Sequence, residues 1–190
     1  MTSASRSVWS RIVTDDVPAP RPSGAPSPTA DRRLRAAAVT FTTVDPTSAP
    51  ALAARQQYFD ELDRRFPTGF AADIGGGDAD ATALSAPHGA FVLLHDGSEI
   101  IGCGGLQRFD ERTAEVKRMW VHAEWRGCGL GARLLGHLEQ IARDQRRTRV
   151  LLDTNATLTE AIALYERAGY RAVERYNDNP YAQCWFEKLL

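Results

Sequence analysis

The chain has 190 residues, 43% of them apolar and 25% charged, with 23 Lys+Arg against 24 Asp+Glu. That is the length of one globular domain, large enough to bury a core without a disulfide or metal staple. A net charge of -1 argues against a dedicated nucleic-acid binder, and no apolar run reaches the length of a membrane span.

Residues 1–33 differ from the rest, with five of the ten prolines (Pro18, Pro20, Pro22, Pro26, Pro28) among Ser, Ala, Asp and Arg. They read as a disordered extension, too poor in apolar residues to offset the entropy of ordering. The globular domain is expected over 34–190. Residues 35–43 read as a strand that ends before Asp45-Pro46. Residues 48–66 carry a helical pattern through Leu52, Tyr58, Phe59, Leu62 and Phe66, stopped by Pro67. Residues 67–88 read as a loop around Gly75-Gly76-Gly77, with a short helix near Asp80–Leu84. A loop this long in a compact domain is often functional. The acidic Asp73, Asp78 and Asp80 there read as a solvated stretch.

Three strands follow. Gly89–His95 leads into the hairpin signal Asp96-Gly97. Glu99–Asp110 returns, and Thr113–His122 pairs with it. Leu130–Ala142 is a helix with one apolar stripe. Arg149–Asp153 is a short buried strand. Thr157–Ala168 is a helix that opens on a capping box, Thr157 to Glu160, and ends with Gly169 at C′. Tyr170–Val173 and Gln183–Leu189 close the chain as strands. The fold class expected is α/β of the α+β type: a mixed, mostly antiparallel sheet of six or seven strands flanked by helices.

The odd count of cysteines (Cys103, Cys128, Cys184) argues against a disulfide framework. They read as reduced packing residues, and the N-terminus lacks the apolar block of a secretory signal, so a cytoplasmic location is expected. The four histidines form no ligand cluster, and no metal is expected.

The chemical signal is Arg126-Gly127-Cys128-Gly129-Leu130-Gly131-Ala132, set between a strand and a helix. Glycines admit strained backbone angles and close approach. The unpaired amides of the next helix turn attract anions. The pattern reads as a phosphate or pyrophosphate site. It has no Gly-Lys-Ser/Thr and is no P-loop. A dinucleotide fingerprint is a serious rival: Gly127-x-Gly129-x-x-Ala132 matches, and Asp153 ends the next strand. Against it, His122–Arg126 separate the strand from the glycines, the motif lies late, and the preceding strands read as antiparallel.

These residues resemble the GNAT superfamily of N-acetyltransferases, whose acyl-CoA loop has the form Arg/Gln-x-x-Gly-x-Gly/Ala. Here those positions are Arg126, Gly129 and Gly131. The strand Glu115–Val121 resembles the family's fourth strand. Asn155 and the run Ala161–Tyr170 resemble its final helix and Gly-Tyr/Phe turn. The resemblance covers about residues 35–190. It implies acetyl-CoA as cosubstrate and an amine acceptor, small molecule or protein, with no nucleic acid or membrane partner. Dimerisation is compatible with it. Backbone groups of Met119, Trp120 and Val121 would pair with the pantetheine arm like an added strand. A bulge in that strand would splay it from residues 149–153. Amides from Arg126 to Ala132 would hold the pyrophosphate. Asn155 would touch the pantetheine or fix the loop after its strand. The Asn155-to-Tyr165 interval is longer than the family's usual one, with the extra residues around Ala156–Thr159.

The implied reaction is direct attack of a primary amine on the thioester in a ternary complex. Tyr165 is the candidate proton donor to the leaving thiolate, though its spacing also suits a core aromatic. Glu115 is the first choice of base, by its place on the strand leading to the cleft. Its plainer role is pairing with Lys117 or Arg118. Asp153, Asn177 and Asp178 are secondary substrate contacts, and Tyr181 lines the pocket or begins a strand. Cys128 lacks a histidine partner and reads as no nucleophile. Two other readings stand beside this one: a nicotinamide-dependent Rossmann oxidoreductase with Asp153 at a ribose, and a non-catalytic acyl-CoA-binding module.

Overall fold

The computed structural model describes residues 28–67, 69–71 and 81–190. Seven strands form one sheet in the order β1-β2-β3-β4-β5-β7-β6. They are β1 Thr40–Val44, β2 Ala90–Asp96, β3 Glu99–Arg108, β4 Thr113–Val121, β5 Arg149–Thr154, β6 Arg171–Ala172 and β7 Cys184–Leu189. The β4–β5 pair is parallel and the other pairs are antiparallel. The helices are α1 Pro28–Ala38, α2 Ala49–Arg65, α3 Leu130–Asp144 and α4 Thr159–Arg167. None among the described residues is long and apolar enough to cross a membrane.

β2 explains why the sheet is covered on both faces. Its run Ala90–Leu94 is buried at every position, so neither face can be left to water. Phe91 and Leu93 join Ala51, Ala54 and Leu84 in one cluster. Val92 and Leu94 join Leu134, Leu135 and Leu138 in the other. α2 thus lies on one face and α3 on the opposite one.

Two local expectations need correction. Residues 35–38, read as the start of a strand, continue a helix that begins at Pro28, and β1 starts only at Thr40. Proline suits a first helical turn, and the Arg, Leu and Ala that follow are good helix formers. Ala36 and Val39 anchor this stretch in the core. The extension expected over residues 1–33 therefore gives way to helix at its end, and residues 1–27 lie outside the described residues. The second correction concerns Thr157, which does not cap α4. Leu158 takes the N-cap position with no side-chain bond. The Thr157 N–H and hydroxyl instead donate to Asn155 Oδ1 at 3.0 and 2.8 Å. The side-chain turn at Asn155 outcompetes the capping box and accounts for the long interval before Tyr165. The other end of α4 follows expectation. Gly169 has φ +89°, and the Gly169 and Tyr170 N–H groups bond to Glu166 O and Tyr165 O, each at 3.0 Å. That is a Schellman closure. Of the loop over 67–88, residues 81–83 are helical, and Asp73, Asp78 and Asp80 lie outside the described residues.

Candidate active site

The cleft begins at a fault in β4. β4 pairs with β5 only from Thr113 to Val116. Cys103 of β3 faces Trp120, and Gly105 faces Lys117. Arg118 and Met119 therefore oppose Gly104 alone, which makes a bulge. Arg118 takes φ +53° there, a conformation uncommon for a side-chain-bearing residue. A bulge bends the strand that carries it. Beyond Val116 the two parallel strands separate, leaving the β5-facing edge of Lys117–Val121 without a strand partner among the described residues.

Two cavities fill the opening. The larger, about 580 Å³, runs from Met119–Val121 to the glycine loop and is closed on its sides by α2 and α4. The smaller, about 300 Å³, lies on the Asp153 and Tyr181 side. Tyr58, Leu62, Met119, Leu158, Ala161 and Tyr165 border both. Only the two tyrosines among these carry a polar side chain. Tyr58 belongs to the helical stripe of α2, whose spacing alone gives no sign that it borders a cavity.

The glycine loop is shaped by backbone geometry. Gly127 and Gly129 have φ +75° and +89°, and a Cβ at either would meet only open space. They are glycines for conformation, not for room. Gly129 is the N-cap of α3 and its carbonyl accepts from Arg133 N. The amides of Leu130, Gly131 and Ala132 precede the first intrahelical donor. At Gly131, by contrast, a Cβ would come within 3.2 Å of Leu164 Cδ2. That glycine lets α3 and α4 close together. The Cys128 thiol donates to Trp125 O at 2.7 Å.

The Arg126 side chain turns inward. Its Nε donates to Val121 O at 2.9 Å, and its guanidinium pairs with Glu61. Glu61 also accepts from Trp120 Nε1 at 2.9 Å. Burial would push the Glu61 carboxyl up, but the hydrogen bonds from Arg126 and Trp120 outweigh it and hold the group below the ordinary carboxylate range. Arg126 thus braces the loop, and the Val121 carbonyl is already occupied. Trp125 is buried in the main core; both tryptophan side chains act as packing residues.

Tyr165 lies 6% exposed, its ring 6.0 Å from those of Tyr170 and Phe186. Burial, with the Asp153 carboxylate adding to it, pushes its phenol well above the ordinary range. It is therefore neutral at physiological pH. Tyr165 thus packs in the core and also borders both cavities.

Glu115, the first choice of base, stands back from both cavities. It is 3% exposed and borders neither cavity. Its carboxylate accepts from Gln107 Nε2 (2.6 Å), Lys117 Nζ (2.9 Å), Tyr176 Oη (3.0 Å) and Asn177 Nδ2 (3.2 Å). Saturated by four donors, it is the anchor of a polar network. The plainer expectation, pairing with Lys117, is the one observed. Asp153, which does border the smaller cavity, joins the same network through Lys117 Nζ (3.0 Å), Asn177 Nδ2 (2.5 Å) and Asn179 Nδ2 (2.9 Å). Burial works against the charge on Lys117, but Glu115 and Asp153 prevail and raise its pKa. Asp178 points away, fully exposed and paired with Arg175. Asn155 donates to Tyr181 O at 2.8 Å while holding Thr157. Both ends of its amide are spent on fixing the loop after β5. Among the described residues no group of His, Cys, Asp or Glu could hold a metal ion.

β4–α3–β5 is a single parallel crossover with antiparallel neighbours on both sides, β3 and β7, so the run of parallel strands that a Rossmann unit needs is not present among the described residues. Comparison with known proteins agrees. Residues 51–170 match the acetyltransferase (GNAT) family. An uncharacterized N-acetyltransferase of Schizosaccharomyces pombe is 30% identical over 105 residues, covering 54% of this chain and 64% of that protein, slightly under two thirds of its length. The IAA acetyltransferase of Azospirillum brasilense is 32% identical over 115 residues, covering 60% and 74%. A GNAT acetyltransferase of Elizabethkingia anophelis, solved with acetyl-CoA bound, shares the fold with a TM-score of 0.57 at 19% identity, covering 80% of this chain and 98% of that one. The chain belongs to the GNAT family of acetyltransferases.

Proposed function

We propose that the chain moves the acetyl group of acetyl-CoA to a primary amine by direct attack in a ternary complex. One observation carries the reading: two cavities of different character meet at Tyr165 and Met119, where β4 and β5 part. The larger has the size of a small-molecule site and ends at a helix N-terminus suited to a pyrophosphate. In this reading the Arg126–Ala132 backbone, through Gly127, Cys128, Gly129, Leu130 and Gly131, cradles the pyrophosphate. The free edge of Met119 and Trp120 pairs with the pantetheine arm and offers an N–H to the carbonyl oxygen as it gains charge. Asn155 acts by fixing the loop after β5. The acceptor enters from the smaller cavity.

The amine nitrogen forms a bond to the thioester carbon as the carbon–sulfur bond breaks. Tyr165 gives its phenolic proton to the departing thiolate, and the nitrogen's surplus proton restores the phenol through solvent. The amine must be uncharged when it attacks, so the bound ammonium first gives a proton to water in the smaller cavity. The products are an N-acetylamine and free CoA. Calorimetric titration of the full chain with acetyl-CoA and NADH tests the reading. Binding of acetyl-CoA alone, followed by free thiol release with an amine, supports it. Binding of NADH alone overturns it. Acetyl-CoA binding without thiol release from any amine favours a non-catalytic module.

A further inference from the structure

The smaller cavity has a composition that selects among amines. Phe59 from α2, Phe66 at its C-cap, Phe70 from the segment 69–71 and Tyr181 from the last long turn all border it. They form one continuous ring wall. Phe59 and Phe70 stack at 5.6 Å, Phe66 meets Phe70 edge-on at 5.7 Å, and Phe70 lies 4.4 Å from Tyr181. The Tyr181 hydroxyl accepts from Ala71 N at 3.1 Å and donates to Ala71 O at 3.2 Å. That pair of bonds ties the two loops of the wall together. Such rings bury large apolar area and prefer another ring in offset or edge contact.

Among the described residues the charges bordering the cavity are few. Asp153 is the one carboxylate bordering it among the described residues, and Lys117 and Arg118 border it as well. The Arg118 guanidinium stands 5.2 Å from the Phe59 ring and has further interactions of its own. A single ammonium finds one carboxylate and ring faces that attract cations. A second ammonium on the same molecule would find no further carboxylate bordering the cavity among the described residues and would stand near Lys117 and Arg118, which disfavours it.

Resting on the acetyltransferase reading above, we infer that the acceptor is a small arylalkyl monoamine, its ring against Phe66, Phe70 and Tyr181 and its nitrogen toward Asp153 and Tyr165. Polyamines and lysine side chains of proteins are the disfavoured classes.

The test uses the full chain with acetyl-CoA and records thiol release with phenethylamine, butylamine, spermidine and a lysine-containing peptide. Phenethylamine should exceed spermidine and the peptide at least tenfold in kcat/KM. Phe70→Ala should lower that value about tenfold for phenethylamine, through KM, as removal of one apolar pocket contact does, and change butylamine much less. Tyr181→Phe keeps the ring and loses the tie to Ala71, so its effect should be smaller and of the same kind. Equal or better use of spermidine or the peptide overturns the inference. So does a Phe70→Ala loss that is the same for every amine. Should acetyl-CoA itself fail to bind the wild-type chain by calorimetry, the acetyltransferase reading falls and takes this inference with it. Acetyl-CoA binding with the wrong amine preference removes the inference alone.

Discussion

The larger cavity is bordered at its critical end by backbone: the bulged edge of β4, the glycine loop and the first turn of α3. The smaller is bordered by side chains drawn from α2, β4, β5 and two loops. In the networks that hold those side chains, position 115 meets 177 and position 71 meets 181. A backbone-built site needs a few consecutive residues with the right conformational freedom. A side-chain-built site needs the whole fold. The first resists substitution at its glycines and tolerates it elsewhere. The second is exposed to any change in a network partner.

The largest expected effect lies at the side-chain end. Glu115→Ala strips Lys117, Tyr176 and Asn177 of their common acceptor in a buried place. Removing one partner of a buried ion pair costs about 3–5 kcal/mol, which for a domain of this size lowers Tm by roughly 10 °C. Thermal unfolding of the variant checks it. Were Glu115→Ala to keep its Tm and lose only kcat, Glu115 would return as the base and the contrast between the two ends would break. Next is Tyr165→Phe. Loss of a proton donor should lower kcat by about 100-fold, with the calorimetric Kd for acetyl-CoA unchanged. A kcat within threefold of wild type removes Tyr165 from the donor role. Third is Gly129→Val at the backbone end. Forcing a branched side chain into φ +89° costs about 1–3 kcal/mol. The expected result is at least a tenfold weaker Kd for acetyl-CoA. A variant that binds as well as wild type would show that the loop conformation does not matter to the ligand.

The same division explains what could be read from the chain beforehand. The element order, the hairpin at Asp96-Gly97 and the glycine loop are contiguous signals, each set by local propensity or conformation. The fate of Glu115 is not contiguous. Strand alternation puts it on one face or the other, but nothing in Glu115–Val121 says that Tyr176 and Asn177 fold back onto it. Proximity in sequence to the cleft suggested a base, whereas tertiary packing made it a strut. The α1 helix was hidden by its neighbours, because a proline-rich stretch runs into it without a break in composition. The capping box at Thr157 failed to a competing local bond from Asn155. The ring wall was invisible because Phe59 and Phe66 share a helical stripe with true core residues, and Phe70 and Tyr181 join them only in the folded chain.

The smallest expected effect tests whether the two ends are as separate as this contrast makes them. Glu61 sits on α2, with side chains bordering both cavities on either side of it in sequence, and it holds Arg126, whose Nε in turn holds Val121 O. A side chain from one helix therefore braces the backbone-built end. Its carboxyl is held below the ordinary range because the bonds from Arg126 and Trp120 overcome the effect of burial. The unfolded chain takes up a proton first as pH falls. The stability contributed by ionised Glu61 is thus complete above the ordinary carboxylate pKa of about 4.3. It is lost as pH falls through the lower native value. Glu61→Gln should have a lower Tm than wild type at pH 7, and the gap should narrow on acidification below pH 4. A gap that stays constant with pH would mean that shape alone, not charge, matters at this position. A gap that narrows, together with a weaker Kd for acetyl-CoA in Glu61→Gln at pH 7, would show that the glycine loop depends on α2 for its placement. The local motif would then supply the loop's conformation, and a distant carboxylate its position.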